Sequence, residues 1–168
     1  MKPFFSTPER LALLVSVEAS WHGTPFMPNA AIKGVGVSCQ KYAGCFYMEC
    51  GLISASFKIP DEPMNWSHAH TDSLIEKFMA EQVAAGRFAE IPLPVGNALP
   101  GDMVGILYGG CVHHCGVVFK ETKFTHCYRP SGNPGRGAGQ THGVIISNLL
   151  EPVYRRMIKK IWRPLDVN

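Results

Sequence analysis

Among the residues of this chain, the thiol of Cys39 stands where covalent chemistry is easiest to arrange. The run Gly34-Val35-Gly36-Val37-Ser38-Cys39-Gln40 carries it out of a glycine-rich loop to what reads as the start of a helix, with Ser38 able to cap that helix. In a first helical turn, unpaired backbone N–H groups and the helix dipole favour a thiolate over a thiol. The thiolate is the attacking species in cysteine chemistry. Cys39 is therefore expected to be the reactive one of the six cysteines, whereas Cys45 and Cys50, inside the same expected helix, read as inert core thiols.

A thiol nucleophile needs a base for its proton and a third group to hold that base in the right tautomer. His114 stands immediately before a strand-like run at 115–119, and His126 lies near the end of the next run, so a hairpin between them sets two imidazoles side by side. One imidazole can orient another through its second ring nitrogen. Cys39, His114 and His126 thus form a candidate triad. The residues alone leave His113 open as the base, because adjacent strand residues point to opposite faces and periodicity does not say which face meets the helix. Metal binding is the rival use of the same atoms: His113, His114, Cys115, His126, Cys127 and His142 are all suitable ligand types. The chain has no CxxC pair and no HExxH motif, so zinc is the alternative reading and no metal or cofactor is expected. His68 and His70 read as residues ahead of a helix. The run Gly132-Asn133-Pro134-Gly135-Arg136-Gly137-Ala138-Gly139 lacks the Gly-Lys-Ser/Thr ending of a phosphate loop and reads as a surface connection.

The elements that must position these residues can be read from punctuation and periodicity. Thr7 and Pro8 open a first helix that runs to Trp21, where His22 closes it, and residues 22–37 form a loop rich in Gly, Pro and Asn. The helix that carries Cys39 is expected to continue to about residue 57, followed by a third helix over 70–85 that Gly86 ends. Beyond residue 91 come short apolar runs at 103–108, 115–119, 124–128 and 143–147. Their tight spacing demands antiparallel neighbours. Leu149, Leu150, Val153, Tyr154, Met157, Ile158, Ile161 and Trp162 recur at helical spacing opposite Arg155, Arg156, Lys159 and Lys160, which predicts an amphipathic last helix. Helices first and an antiparallel sheet second predict an α+β domain without internal repeats.

A chain of 168 residues is expected to form one domain, 1–168, with a core that needs neither metal nor disulfide. Hydrophobic residues at 46% and charged residues at 17% exclude disorder, and a net charge of +3 is too small to imply nucleic-acid binding. Cys39, Cys45 and Cys50 share one expected helix in poor geometry for bridging, so the cysteines read as reduced. Neither a signal peptide nor a membrane span is read, which predicts cytoplasmic synthesis.

Five pieces in order, Trp21-His22-Gly23-Thr24-Pro25-Phe26, Gly34-Val35-Gly36-Val37-Ser38-Cys39, Pro100-Gly101-Asp102-Met103-Val104, His114-Cys115-Gly116-Val117-Val118 and Thr125-His126, together resemble the NlpC-type cell-wall peptidases. This is a papain-like cysteine peptidase family, and its phage tail-assembly branch is the most similar part. The resemblance implies a papain-like fold with N-terminal helices packed on an antiparallel sheet. It assigns Cys39 as nucleophile, His114 as base and His126 as orienting member, acting on a peptide bond in peptidoglycan stems, with phage tail proteins as further partners. Ser38 stands where the family usually has Asp, and Phe26 where it usually has Tyr. A tail-tip or assembly protein that keeps the fold in a structural role, within a phage or tail-like particle, is the second function the resemblance allows.

Overall fold

A computed structural model describes residues 1–61, 72–128 and 143–167. Helix α1 (Pro8–Trp21) begins as its sequence dictates: the Thr7 hydroxyl accepts the N–H of Arg10, and Pro8 occupies a position whose N–H would have no helical partner. Helix α2 (Cys39–Glu49) starts at the expected cysteine but stops well short of residue 57. Gly51, at a φ of 72°, turns the chain out of the helix there, so Cys50 caps α2 instead of lying inside it. Helix α3 (Leu74–Ala84) is capped by the Ser73 hydroxyl, which accepts the N–H of Glu76. The start of the expected 70–85 helix and the glycine-rich 129–142 segment lie outside the described residues.

The strands are β1 (Ala31–Ile32), β2 (Gly36–Val37), β3 (Phe88–Glu90), β4 (Met103–Tyr108), β5 (Cys111–Lys120), β6 (Lys123–Tyr128), β7 (Gly143–Asn148) and β8 (Ile158–Pro164). The last six form one antiparallel sheet in the order β3-β8-β4-β5-β6-β7. β5 starts four residues earlier than expected, so His113 and His114 both lie within it.

The expected last helix is corrected. Only Pro152–Met157 is helical (α4), and Ile158–Pro164 is β8, paired with β3 on one side and β4 on the other. Ile158, Ile161 and Trp162 satisfy helical spacing, but β-branched and aromatic residues also suit a strand, and two flanking strands offer ladder hydrogen bonds on both edges.

Both faces of the sheet are covered. α1, α2 and α3 pack on one face around Trp21, Tyr42, Phe46 and Val117, all nearly or wholly buried. A smaller core on the other face gathers Val104, Ile106, Val118, Phe124, Ile158 and Ile161. β5 between these layers is buried along almost its whole length. The loop after α1 is stitched to β7 by paired backbone bonds, Gly23 N–H to the Val144 carbonyl and Val144 N–H to the Thr24 carbonyl. Pro25, Met27 and Val37 exchange further backbone bonds, which seat the approach to Cys39.

Candidate active site

Cys39 lies in the first turn of α2, buried at 5% exposure, and α2 packs on β5 and β6. Ser38 holds the N-cap position in extended conformation without a side-chain capping bond. The Cys39 thiol faces the His113 carbonyl, Sγ to O 4.0 Å, and the Cys115 thiol donates to the Cys39 carbonyl at 3.6 Å.

The electrostatics correct one expectation. The thiol of Cys115 and burial push the Cys39 thiol well above the ordinary range, while the imidazole of His114 pulls it down. The helix start alone does not make Cys39 a resting thiolate. Cys115 first and desolvation second oppose an anion in this position.

Register separates the two histidines. Ile106 pairs with His114 and Leu107 with Val112, so His113 is the extra residue of a bulge. Such bulges re-aim the side chains around them. His114 turns toward the face that carries His126 and Tyr108, and His114 Nε2 lies 2.7 Å from His126 Nδ1. His113 instead lies against Cys111, Nε2 to Sγ 3.0 Å. Gly116 makes the close approach of the two strands possible. A Cβ there would lie 2.8 Å from the Thr125 carbonyl oxygen and 3.0 Å from His126 Cβ.

His126 is fully buried, and burial first and His114 second push its pKa well below the usual histidine value, which favours the neutral imidazole. Its outer nitrogen, Nε2, lies 3.0 Å from Ser147 Oγ, which in turn donates to the Tyr154 hydroxyl at 3.0 Å. Tyr108 stands edge-on to His114 with ring centroids 5.6 Å apart, and burial raises its hydroxyl to about 12. Ser147, Tyr154 and Tyr108 were not singled out as site residues in the sequence, and Cys115 was weighed there only as a metal-ligand type. The available signal was a serine within the strand after the one bearing His126, but its contact depends on cross-strand register.

Among the described residues, no group of three or more His, Cys, Asp or Glu side chains is placed to hold a metal, and His142 of the expected ligand types lies outside them. None of the six cysteines is in a disulfide. No helix among the described residues is long and apolar enough to cross a membrane. A groove of about 760 Å³ between α2 and α3 reaches this region, with Gln40, Ala43, Tyr47, Phe78, Met79 and Cys115 in its walls.

No protein-family model matches this chain, and no curated protein matches it by sequence. Solved structures do resemble it. An NlpC/P60 family protein from Bacillus cereus ATCC 10987 is 16% identical with a TM-score of 0.53, over 90% of this chain and 39% of that one. The NlpC/p60 domain of the peptidoglycan hydrolase SagA is 14% identical with a TM-score of 0.50, over 90% of this chain and 96% of the other. A protein described as similar to a lipoprotein, of the NLP/P60 family, from Staphylococcus aureus subsp. aureus Mu50 is 14% identical with a TM-score of 0.54, over 100% of this chain and 45% of that one. The chain therefore spans about two fifths of the first of these proteins and nearly all of the SagA domain. Its fold is the mixed helix and antiparallel-sheet, papain-like fold of the NlpC/P60 structures.

Proposed function

We propose that the protein is a cysteine peptidase that hydrolyses a peptide bond in peptidoglycan stems, with Cys39 as nucleophile, His114 as general base and His126 as the residue that orients His114. The observation that carries this reading is the His114–His126 hydrogen bond together with the influence of the His114 imidazole on the Cys39 thiol at the start of α2. The likeness to NlpC/P60 structures, one of them a domain of a peptidoglycan hydrolase, supports the substrate class.

In this reading the thiol is protonated at rest, and ionisation accompanies attack. His114 takes the proton of Cys39 as the sulfur bonds to the carbonyl carbon. The oxygen that becomes negative is stabilised by the backbone N–H of Cys39, which has no helical acceptor in the first turn of α2. His114 returns the proton to the leaving amine, and water then releases the acyl group by the same steps reversed. Catalytic contacts that are long without substrate tighten when it binds. The order of the motifs favours the phage tail-assembly branch as the setting.

Mass analysis of purified peptidoglycan incubated with the protein tests this. Wild type is expected to release cut stem peptides, Cys39→Ala and His114→Ala none, and His126→Ala a residual amount, because an orienter is less indispensable than a base. Circular dichroism establishes that each variant is folded. Activity that survives in Cys39→Ala, or loss in His113→Ala but not in His114→Ala, overturns the assignment. Intact stems with folded wild type favour a structural role in assembly.

A further inference from the structure

We infer that Ser147 is a positioning residue, which fixes the tautomers of both histidines so that His114 presents a bare nitrogen to Cys39. The assignment deepens the proposed peptidase reading and rests on it. Ser147 sits on β7, whose Ile145 is paired with His126 and whose Ser147 is paired with Phe124. Ser147 is thus the diagonal neighbour of His126 on the same face, within side-chain reach.

The direction of the hydrogen bonds follows from counting protons. The Ser147 hydroxyl has one hydrogen, and it is donated to the Tyr154 oxygen at 3.0 Å. Toward His126 Nε2, also at 3.0 Å, the Ser147 oxygen then accepts, which places a hydrogen on Nε2, and the Tyr154 hydroxyl oxygen, 3.5 Å from the same nitrogen, faces that hydrogen as a second, longer acceptor. A neutral imidazole carries one N–H. Nδ1 of His126 is therefore a lone pair, and at 2.7 Å it accepts from Nε2–H of His114. His114 in turn keeps its Nδ1 free to take a proton. When it becomes an imidazolium, the bond from its Nε2–H to His126 persists unchanged, and no proton needs to move onto His126.

The reverse arrangement works against catalysis. If the serine hydrogen pointed at His126 Nε2, the His126 hydrogen would sit on Nδ1 and would be donated to His114 Nε2. Neutral His114 would then carry its hydrogen on Nδ1, where it cannot accept one. In serine hydrolases a wrong tautomer of the base lowers kcat by about 10⁴. Ser147 acts one residue further out, so loss of about tenfold to a hundredfold in kcat, with KM unchanged, is expected for Ser147→Ala.

The test reads the tautomers directly. Nitrogen-15 NMR of the imidazoles at neutral pH is expected to show wild-type His126 and His114 each protonated on Nε2. Ser147→Ala should give mixed tautomers at both, and Ser147→Thr, which restores the oxygen, should return the wild-type pattern and kcat. Tyr154→Phe removes the acceptor of the serine hydrogen and is the second variant, expected to loosen the same bias. His114 protonated on Nδ1 in wild type, or an unchanged pattern in both Ser147→Ala and Tyr154→Phe, overturns the assignment. Because NMR needs no substrate, the expected tautomers in a protein that cuts no peptidoglycan would sink the peptidase reading and leave the role of Ser147 in orienting the histidines intact.

Discussion

The thiol of Cys39 is held in two opposing environments, and the balance between them sets its reactivity. Cys115 and burial favour the protonated form, while His114 favours the thiolate, with the first pair prevailing. Alkylation by iodoacetamide is therefore expected to be slow at Cys39 near neutral pH and to climb through and beyond the range of an ordinary thiol, because only the thiolate attacks. Replacing Cys115 by Ala removes the largest opposing influence and should speed Cys39 labelling several-fold at neutral pH, whereas His114→Ala should slow it. Peptide mapping across a pH series measures this. A plateau at or below neutral pH, with no effect of Cys115→Ala, would be incompatible with that balance. Cys39 could be picked out in the sequence because a glycine-rich approach and a capping residue are local features. Its antagonist could not, since Cys115 meets α2 only through the register of β4 on β5 and the bulge at His113. For the same reason His114 and His126 were legible as a pair in a hairpin, while Ser147 and Tyr154, which reach them from β7 and α4, were not.

At the scale of elements, α1 was legible to the residue because a cap and a proline mark its start and a glycine follows its end. The misread last helix shows the opposite limit. A strand with partners on both edges is stabilised by residues distant in sequence, and local apolar spacing does not record them. One polar contact ties that strand into the sheet. Arg163 on β8 donates from Nε and Nη2 to the two oxygens of Asp102, at 3.0 and 2.8 Å, and Asp102 also accepts the Leu99 N–H. Burial raises the Asp102 carboxyl, and Arg163 with the Leu99 N–H draws it back down. Asp102 is 1% exposed and the Arg163 side chain 17%, so removing Asp102 leaves a largely buried guanidinium with only the Asn97 carbonyl, 2.8 Å from Nη2, as acceptor among the described residues. Asp102→Ala is expected to cost about 3–5 kcal/mol in urea unfolding, and replacing both partners by apolar residues of similar volume to cost much less. A loss for Asp102→Ala no greater than for an ordinary surface substitution would show that the pair does not secure β8.

For the whole molecule, the order of helices before sheet was legible because composition changes near residue 91, but burial of the sheet on both faces was not, since α4 and β8 are needed to close the second side. That closure places His126 at zero exposure between the layers, against Phe124 and Tyr154. A charged imidazole there has lost its water, and His114 adds repulsion, so the folded pKa lies well below the unfolded value of about 6.5. The sign follows from proton uptake. Above about 6.5 neither state protonates His126, and this group leaves stability unchanged with pH. As the pH falls below that value the unfolded chain binds a proton that the native protein refuses, so stability declines, by up to about 1.4 kcal/mol per pH unit, until the folded pKa is reached. The raised carboxyl of Asp102 works in the other direction, but only at the more acidic pH where carboxylates titrate. Between neutral pH and that range, wild-type urea midpoints should fall steadily. His126→Gln, whatever its own cost, should show a flatter dependence over the same interval, because it has no proton to gain. Parallel curves for the two proteins would mean that His126 is not the group whose exclusion of a charge limits stability in mild acid.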